Sequence, residues 1–202
     1  MNELERRIID ISYRKKLAHI GSSLTAVNII DHIYSIKQPE EKFVLSQGHA
    51  GLALYVVLEK HGFGNAEELF DKHGVHPNRD PEHDMWVSTG SLGHGIGISV
   101  GMALSDRSKR VFCLVSDGEC MEGSVWEALR ITEEQNLDTL HIYFNFNGYG
   151  GYKKLNLYSL YAKINAFRVN KKIFFTSIPQ LPGLLAHYIV LDQKAYEKIL
   201  RS

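Results

Sequence analysis

The stretch from residue 111 to 147 restricts the fold more than any other. It reads VFCLVSDGECMEGSVWEALRITEEQNLDTLHIYFNFN. An apolar strand at 111–115 runs into an acidic turn, Asp117-Gly118-Glu119. An amphipathic helix follows at 124–136. A second strand at 139–146 ends in Asn145-Phe146-Asn147-Gly148. Two strands joined by a helix of that length make a parallel pair, because a parallel connection needs a crossover of a dozen or more residues. A parallel sheet is covered by helices on its faces. The expected fold is therefore an α/β, doubly wound domain with a mostly parallel sheet flanked by helices.

The remaining segments suit that plan. Leu4, Ile8 and Ile11 mark one face of a first amphipathic helix over 3–17. Ser22 or Ser23 is expected to cap a second helix, with Leu24, Val27, Ile30 and Tyr34 on one face. Residues 42–45 read as a short strand. The polar turn Ser46-Gln47-Gly48-His49 leads into a strongly apolar helix, ALYVVLEK. Residues 64–89 carry glycines, prolines and charged clusters, and read as a long functional loop around one short helix, NAEELFDKH. A glycine-rich run, 90–97, precedes a helix of small residues. Past Gly151 the expectation is a helix near 157–166, a strand at 172–176 and a terminal helix near 193–201. The chain reads as a single domain, 1–202, with a divergent C-terminal portion from about residue 151.

Bulk properties exclude several function classes. Lysine plus arginine equals aspartate plus glutamate, 23 each. A zero formal net charge gives no electrostatic reason to expect nucleic acid or an anionic membrane. Two cysteines, Cys113 and Cys120, do not make a disulfide scaffold. The first residues lack signal-peptide architecture, and no apolar run approaches the roughly 20 residues of a membrane span. The expected location is cytoplasmic.

The chemistry concentrates at the ends of the two central strands, where open α/β sheets bind ligands. Asp117 and Asn147 fall there. A hard cation such as Mg²⁺ takes carboxylate, amide and main-chain oxygens together with phosphate oxygens. Asp117, the Asn147 amide and the carbonyl of Tyr149 would supply part of such a shell, and Gly118 lets the backbone approach a diphosphate. Spacing alone leaves open a plain acidic turn with a capping Asp. The free N–H groups of the 90–97 run could meet a phosphate. His19, His49 and His76 each lie in a turn or loop, as a site needing proton relays or hydrogen bonds to hydroxyls would use them. The rival is a zinc cluster from His73, His76 and His83, for which the chain has no HExxH or paired CxxC pattern.

Five ordered segments resemble the thiamine-diphosphate-binding half of transketolase: LAHIGSSL, FVLSQGHAGLALYVVLEKHG, GVHPNRD, VSTGSLGHGIGISVGMAL, and SDGECMEGSVWEA followed by NFNGY. The resemblance covers roughly residues 1–150 and the tail only loosely. It implies thiamine diphosphate and Mg²⁺ as cofactors, with Asp117, Asn147 and the Tyr149 carbonyl on the metal. It implies that Gly118 and Asn147 contact the diphosphate, that His49 touches the diphosphate side, and that Gly90, Ser91 and Leu92 line the cofactor's middle. His19 and His76 would face the sugar as catalytic residues. The segment GLLAHYIVL is similar to the family's late active-site segment and nominates His187. Glu122 and Glu127 resemble acidic residues at a subunit contact.

Departures from the family pattern fall at Ser116, Asn145, His94 and Ile20, and in the loop Ile178-Pro179-Gln180-Leu181-Pro182-Gly183, where a Lys-Gly-rich loop is expected. Full transketolases also carry a pyrimidine-binding domain and a C-terminal domain. The resemblance therefore implies one subunit of a split transketolase. It would transfer a two-carbon ketol unit between sugars or sugar phosphates, and would act only with a separately encoded C-terminal subunit, as α2β2. The alternatives are the α subunit of a 2-oxo acid dehydrogenase-like enzyme and a degenerate domain that only binds a partner.

Overall fold

A computed structural model describes residues 1–151, 153–179, 181 and 183–201. Its centre is a four-stranded, wholly parallel sheet in the order β1 (Lys42–Leu45), β2 (Val111–Ser116), β3 (Leu140–Phe146), β4 (Lys171–Phe175). The register pairs Leu45 with Leu114, Ser116 with Asn145, and Asn145 with Phe174. All four strands thus end at one edge of the sheet.

Alternation along the strands divides the core in two. Phe43, Leu45, Phe112, Leu114 and Tyr143 point to one face. That face is covered by α1 (Glu3–Lys15), α2 (Ile20–Ile36), α3 (Gly51–Lys60) and α4 (Ala66–His73). Val44, Cys113, Val115, Ile142, Phe144 and Phe146 point to the other, under α5 (His94–Ser105), α6 (Gly123–Glu134) and α7 (Leu157–Asn165). Strands buried on both faces must read as continuous apolar runs, which is why VFCLV carries no alternation in hydropathy. A short α8 (Leu185–Tyr188) and a final α9 (Gln193–Leu200) complete the chain. The last helix is tied back to the first by the stacked Tyr13–Tyr196 pair, 4.3 Å between centroids, and by Tyr196 donating to Asp10 at 2.8 Å.

The parallel sheet flanked by helices is as the sequence implies. The start of the second helix is not. It begins at Ile20, and Ser22 and Ser23 are buried inside it. His19 stands before it at φ 63, with no side-chain cap. The reason is tertiary: the His19 N–H donates to His187 O at 3.0 Å, and Gly21 packs so tightly on Ala186 that a Cβ there would lie 2.6 Å from its methyl. Contact with α8 sets this helix start, and a local serine cap is not needed.

Among the described residues no three His, Cys, Asp or Glu side chains gather to hold a metal. The three histidines of the zinc reading do not converge. His73 and His83 lie 3.1 and 2.8 Å from the same oxygen of Asp80, which also receives Lys72 at 2.7 Å. The three donors hold that carboxyl down to about pKa 2 against the opposing effect of burial. His76 lies elsewhere, in a cavity wall.

Candidate active site

The ends of the four strands and the loops that leave them enclose a cavity of about 510 Å³. Gly118, Asn147 and Tyr149 line it at the ends of β2 and β3. Asp117 lies directly beneath, fully buried. Its side chain accepts from the Gly118 N–H at 3.0 Å and the Gly148 N–H at 2.6 Å. Its own N–H donates to Asn145 O at 3.1 Å, which continues the sheet one residue past β2. Burial pushes the Asp117 carboxyl up to about pKa 6, although those backbone N–H groups oppose the rise. A buried carboxylate raised in this way is one that an adjacent cation would stabilise. The Asn147 amide oxygen accepts from Tyr149 N–H at 3.0 Å, which fixes its direction and leaves a second lone pair.

The surroundings fit a hard cation and a diphosphate. The donor set is a carboxylate, an amide oxygen and a main-chain carbonyl, all oxygen. A Cβ at Gly118 would lie 3.4 Å from Gly150 Cα and 3.7 Å from the Tyr149 carbonyl oxygen. Glycine there keeps a face of bare backbone open to a ligand. At the neighbouring edge, the buried Gln47 amide and the Thr89 hydroxyl have no hydrogen-bond partner among the described residues.

The glycine-rich run closes on the same place. Gly90 has φ 139, and a Cβ there would meet the His76 ring at 2.9 Å. Gly48 approaches it so closely that a Cβ would lie 2.5 Å from Gly90 N. Gly90 and Leu92 line the cavity; Ser91, between them, is exposed and does not.

One residue holding this run is absent from the sequence-based set. Glu119 is fully buried. Its Oε1 accepts from Ser46 Oγ at 2.6 Å and Gly93 N–H at 3.0 Å, and its Oε2 accepts from Ser116 N–H at 2.9 Å. A single carboxylate thus joins the end of β1, the glycine-rich run and the end of β2. Burial raises its pKa, while these hydrogen bonds favour the ionised form. Two backbone N–H groups cannot accept a proton in return, so the donor set calls for the carboxylate. Its only sequence signal is a second acid inside the turn after a buried strand.

Four histidines also line the cavity: His19, His49, His76 and His187. His19 and His187 have ring centroids 4.3 Å apart, and His49 lies 6.4 Å from His187. Burial first, and then His187 and the other neighbouring imidazoles, lowers His49 to about pKa 4; burial and a neighbouring imidazole also lower His19 and His187. These three rings are neutral at pH 7 and can accept a proton as well as donate one.

The departures from the family pattern each have a structural place. Asn145 is buried, donates to Thr25 Oγ1 at 3.0 Å and accepts from Thr176 Oγ1 at 2.6 Å. Ser116 serves Glu119, Ile20 is buried in the first turn of α2, and His94 is exposed at the start of α5. In the loop 178–183, Ile178, Pro179, Leu181 and Gly183 line the cavity, and Gln180 and Pro182 lie outside the described residues. Glu122 and Glu127 are exposed, and Glu127 pairs with Arg130 on its own helix.

The chain is similar to known proteins in sequence and in fold. A family model described as the transketolase, thiamine diphosphate binding domain matches residues 17–150. An apulose-4-phosphate transketolase subunit of Phocaeicola vulgatus is 34% identical over 156 residues, covering 67% of this chain and 55% of that one. Human transketolase is 39% identical over 120 residues, covering 54% of this chain and 19% of that one. The chain thus spans about half the length of the first relative and about a fifth of the second. The crystal structure of transketolase from Campylobacter jejuni superposes with a TM-score of 0.76 at 17% identity, covering 98% of this chain and 41% of that chain. This last likeness is one of fold.

Proposed function

Because the chain belongs to the transketolase family, through that family's thiamine diphosphate binding domain, we propose that it is the cofactor-holding subunit of a split transketolase. It would transfer a two-carbon ketol unit between sugars or sugar phosphates. One observation carries the reading: Asp117, pinned by the Gly118 and Gly148 N–H groups, lies at the end of the parallel strand next to the one that leads to Asn147, under a cavity also lined by four histidines.

Asp117, the Asn147 amide and the Tyr149 carbonyl would hold Mg²⁺, and Gly118 would admit the diphosphate of thiamine diphosphate. When bound, that cofactor supplies a nucleophilic carbon that takes up the two-carbon unit and passes it on. The chain's own residues bind, orient and relay protons. His49 would border the diphosphate. His19, His76 and His187 would face the sugar, and the neutral rings of His19 and His187 would accept a proton from a substrate hydroxyl and return it. Glu119 would fix the run Gly90–Gly93 against the strand ends.

A separate polypeptide carrying the pyrimidine-binding and C-terminal domains would complete the site. The 34% identity to a relative described as a transketolase subunit supports this, as does an exposed apolar surface. Helix α5 exposes Gly97, Ile98, Gly101 and Leu104 on one face, and Leu92 and Met121 are also exposed. Family membership supports this reading over the 2-oxo acid dehydrogenase one. The test is co-expression with a neighbouring reading frame that encodes the missing domains, followed by ketol transfer assays with thiamine diphosphate and Mg²⁺. Transfer by the pair and none by either chain alone is expected. Full turnover by this chain alone would refute the split assignment.

A further inference from the structure

The loop that follows β3 must present oxygens in fixed directions, yet its sequence is loose. Asn147-Gly148-Tyr149-Gly150-Gly151 holds three glycines in five residues, and Gly148 and Gly151 stand at φ 90 and 75. Such a segment is conformationally permissive and costs entropy to fix. The Gly150 N–H donates to Lys153 O at 2.8 Å, and the Leu155 N–H donates to Gly148 O at 2.9 Å. Both bonds run within the loop, so they shape it without setting where its tip stands.

The tip is held from the far end of the chain. Tyr188 Oη, at the end of α8, donates to Gly151 O at 2.6 Å. Among the described residues, Tyr188 is the one side chain outside the loop that donates to the main chain of 147–155. Gly183 stands beside the Tyr149 ring: a Cβ there would lie 3.5 Å from its hydroxyl. The segment 183–188 is itself fixed on its other side. His187 O accepts the His19 N–H at 3.0 Å, and Ala186 seats on Gly21 of α2. The same segment carries the His187 ring, whose centroid is 4.3 Å from that of His19. The Tyr188 ring meets His187 edge-on at 4.8 Å. Residues 183–188 therefore touch both the loop bearing Asn147 and Tyr149 and the histidines of the cavity.

We propose that Tyr188 is a positioning residue: its hydroxyl ties the loop that offers Asn147 and the Tyr149 carbonyl to the segment that carries His187, so that one contact sets both. Under the proposed function, on which this inference rests, the cation binds the Tyr149 carbonyl, two residues before Gly151. A ligand whose main chain is already held loses less freedom on binding, and partners behind a ligand matter in metal sites for this reason. The coupling is reciprocal: a cofactor that fixes the loop also favours the ordered segment 183–188. Tyr188 is largely exposed, so water competes for its hydroxyl and the contact is worth one ordinary hydrogen bond.

The test is Tyr188→Phe in the assembled two-subunit enzyme. Phenylalanine keeps a ring against His187 and removes only the hydroxyl. Calorimetric titration with thiamine diphosphate and Mg²⁺ should show binding weakened about three- to tenfold, the worth of one net hydrogen bond. Hydrogen exchange should show the cause. The Gly150 and Leu155 N–H groups should exchange faster in the variant. The cofactor should slow exchange of the bonded Ala186 and His187 N–H groups in the native enzyme, and less so in the variant. The midpoint of urea unfolding without cofactor should stay in place.

Equal affinity in the two proteins, loop exchange unchanged by the substitution, or no difference between them in how the cofactor slows 186 and 187 would each overturn the inference alone. A lower urea midpoint with faster exchange throughout the chain would mark a merely structural role and overturn it too. No Mg²⁺-dependent binding of thiamine diphosphate by the native enzyme would overturn the proposed function, and this inference with it.

Discussion

Replacing Glu119 by glutamine removes one acceptor from a place where every neighbour donates. In the native chain its two oxygens receive Ser46 Oγ, Gly93 N–H and Ser116 N–H at 2.6, 3.0 and 2.9 Å. The glutamine NH₂ must occupy one oxygen's position. On the Oε2 side it opposes the Ser116 N–H, and on the Oε1 side it opposes the Gly93 N–H. Ser46 can rotate its hydroxyl to accept, but a backbone N–H cannot. One buried N–H is therefore left unpaired in either orientation, at a cost of about 1–3 kcal/mol. Relief of the burial that raises the native carboxyl's pKa offsets part of the lost charge-assisted bonding. The expected net loss is about 2 kcal/mol, read from urea unfolding at pH 7. Glu119→Ala removes every acceptor and leaves a cavity, so it should cost more, about 3–5 kcal/mol. The glutamine variant should also weaken thiamine diphosphate binding in the assembled enzyme, because the Gly93 N–H bond to Glu119 holds the run that lines the cavity. A glutamine variant as stable as the native chain would refute the reasoning. So would one destabilised as much as the alanine variant.

Three further expectations follow from the site. Gly90→Ala forces a side chain into φ 139 and against the His76 ring, so it should destabilise by about 1–3 kcal/mol and lower activity in the assembled enzyme. His49 titrates near pKa 4 when folded and 6.5 when unfolded, so the unfolded chain binds more protons between those values. Stability should therefore fall as pH drops from about 6.5 to 4, by about 2–3 kcal/mol in total, and His49→Gln should remove most of that slope in unfolding measured against pH. Chelation of zinc should leave thermal unfolding unchanged, because His73 and His83 bond to Asp80; a drop in Tm would reopen a zinc site.

The parallel core was legible because its signals are local. The apolar run 111–115, the amphipathic stretch after it and the run 139–146 each carry their own periodicity, and the crossover rule supplies the direction of pairing. Asp117 and Asn147 could be singled out because strand ends are where such sheets bind ligands. The rest depended on contacts distant in sequence. Glu119 draws on Ser46 and Gly93, 73 and 26 residues away, and nothing in SDGE distinguishes the acid beneath the cavity from the acid that anchors the loops. The second helix starts where it does because of His187 and Ala186, at the far end of the chain, so a serine-capping rule placed it late. Asn145 reads as a departure from the family pattern until Thr25 and Thr176 are seen on either side of it. Loop histidines 19, 49 and 76 suggested a shared site by their similar settings, whereas His187 was reachable only through the family resemblance.

The central claim is that Asp117 and Asn147 hold Mg²⁺ and, through it, the diphosphate of thiamine diphosphate. Calorimetric titration of the assembled enzyme with thiamine diphosphate, with and without Mg²⁺, tests it most directly when repeated on Asp117→Asn. Binding that requires Mg²⁺ is predicted for the native chain. A loss of at least about 100-fold is predicted for the variant, since even outer-shell partners of a metal are worth roughly 10–100-fold. Binding of equal strength in both proteins, unaffected by Mg²⁺, would contradict the account.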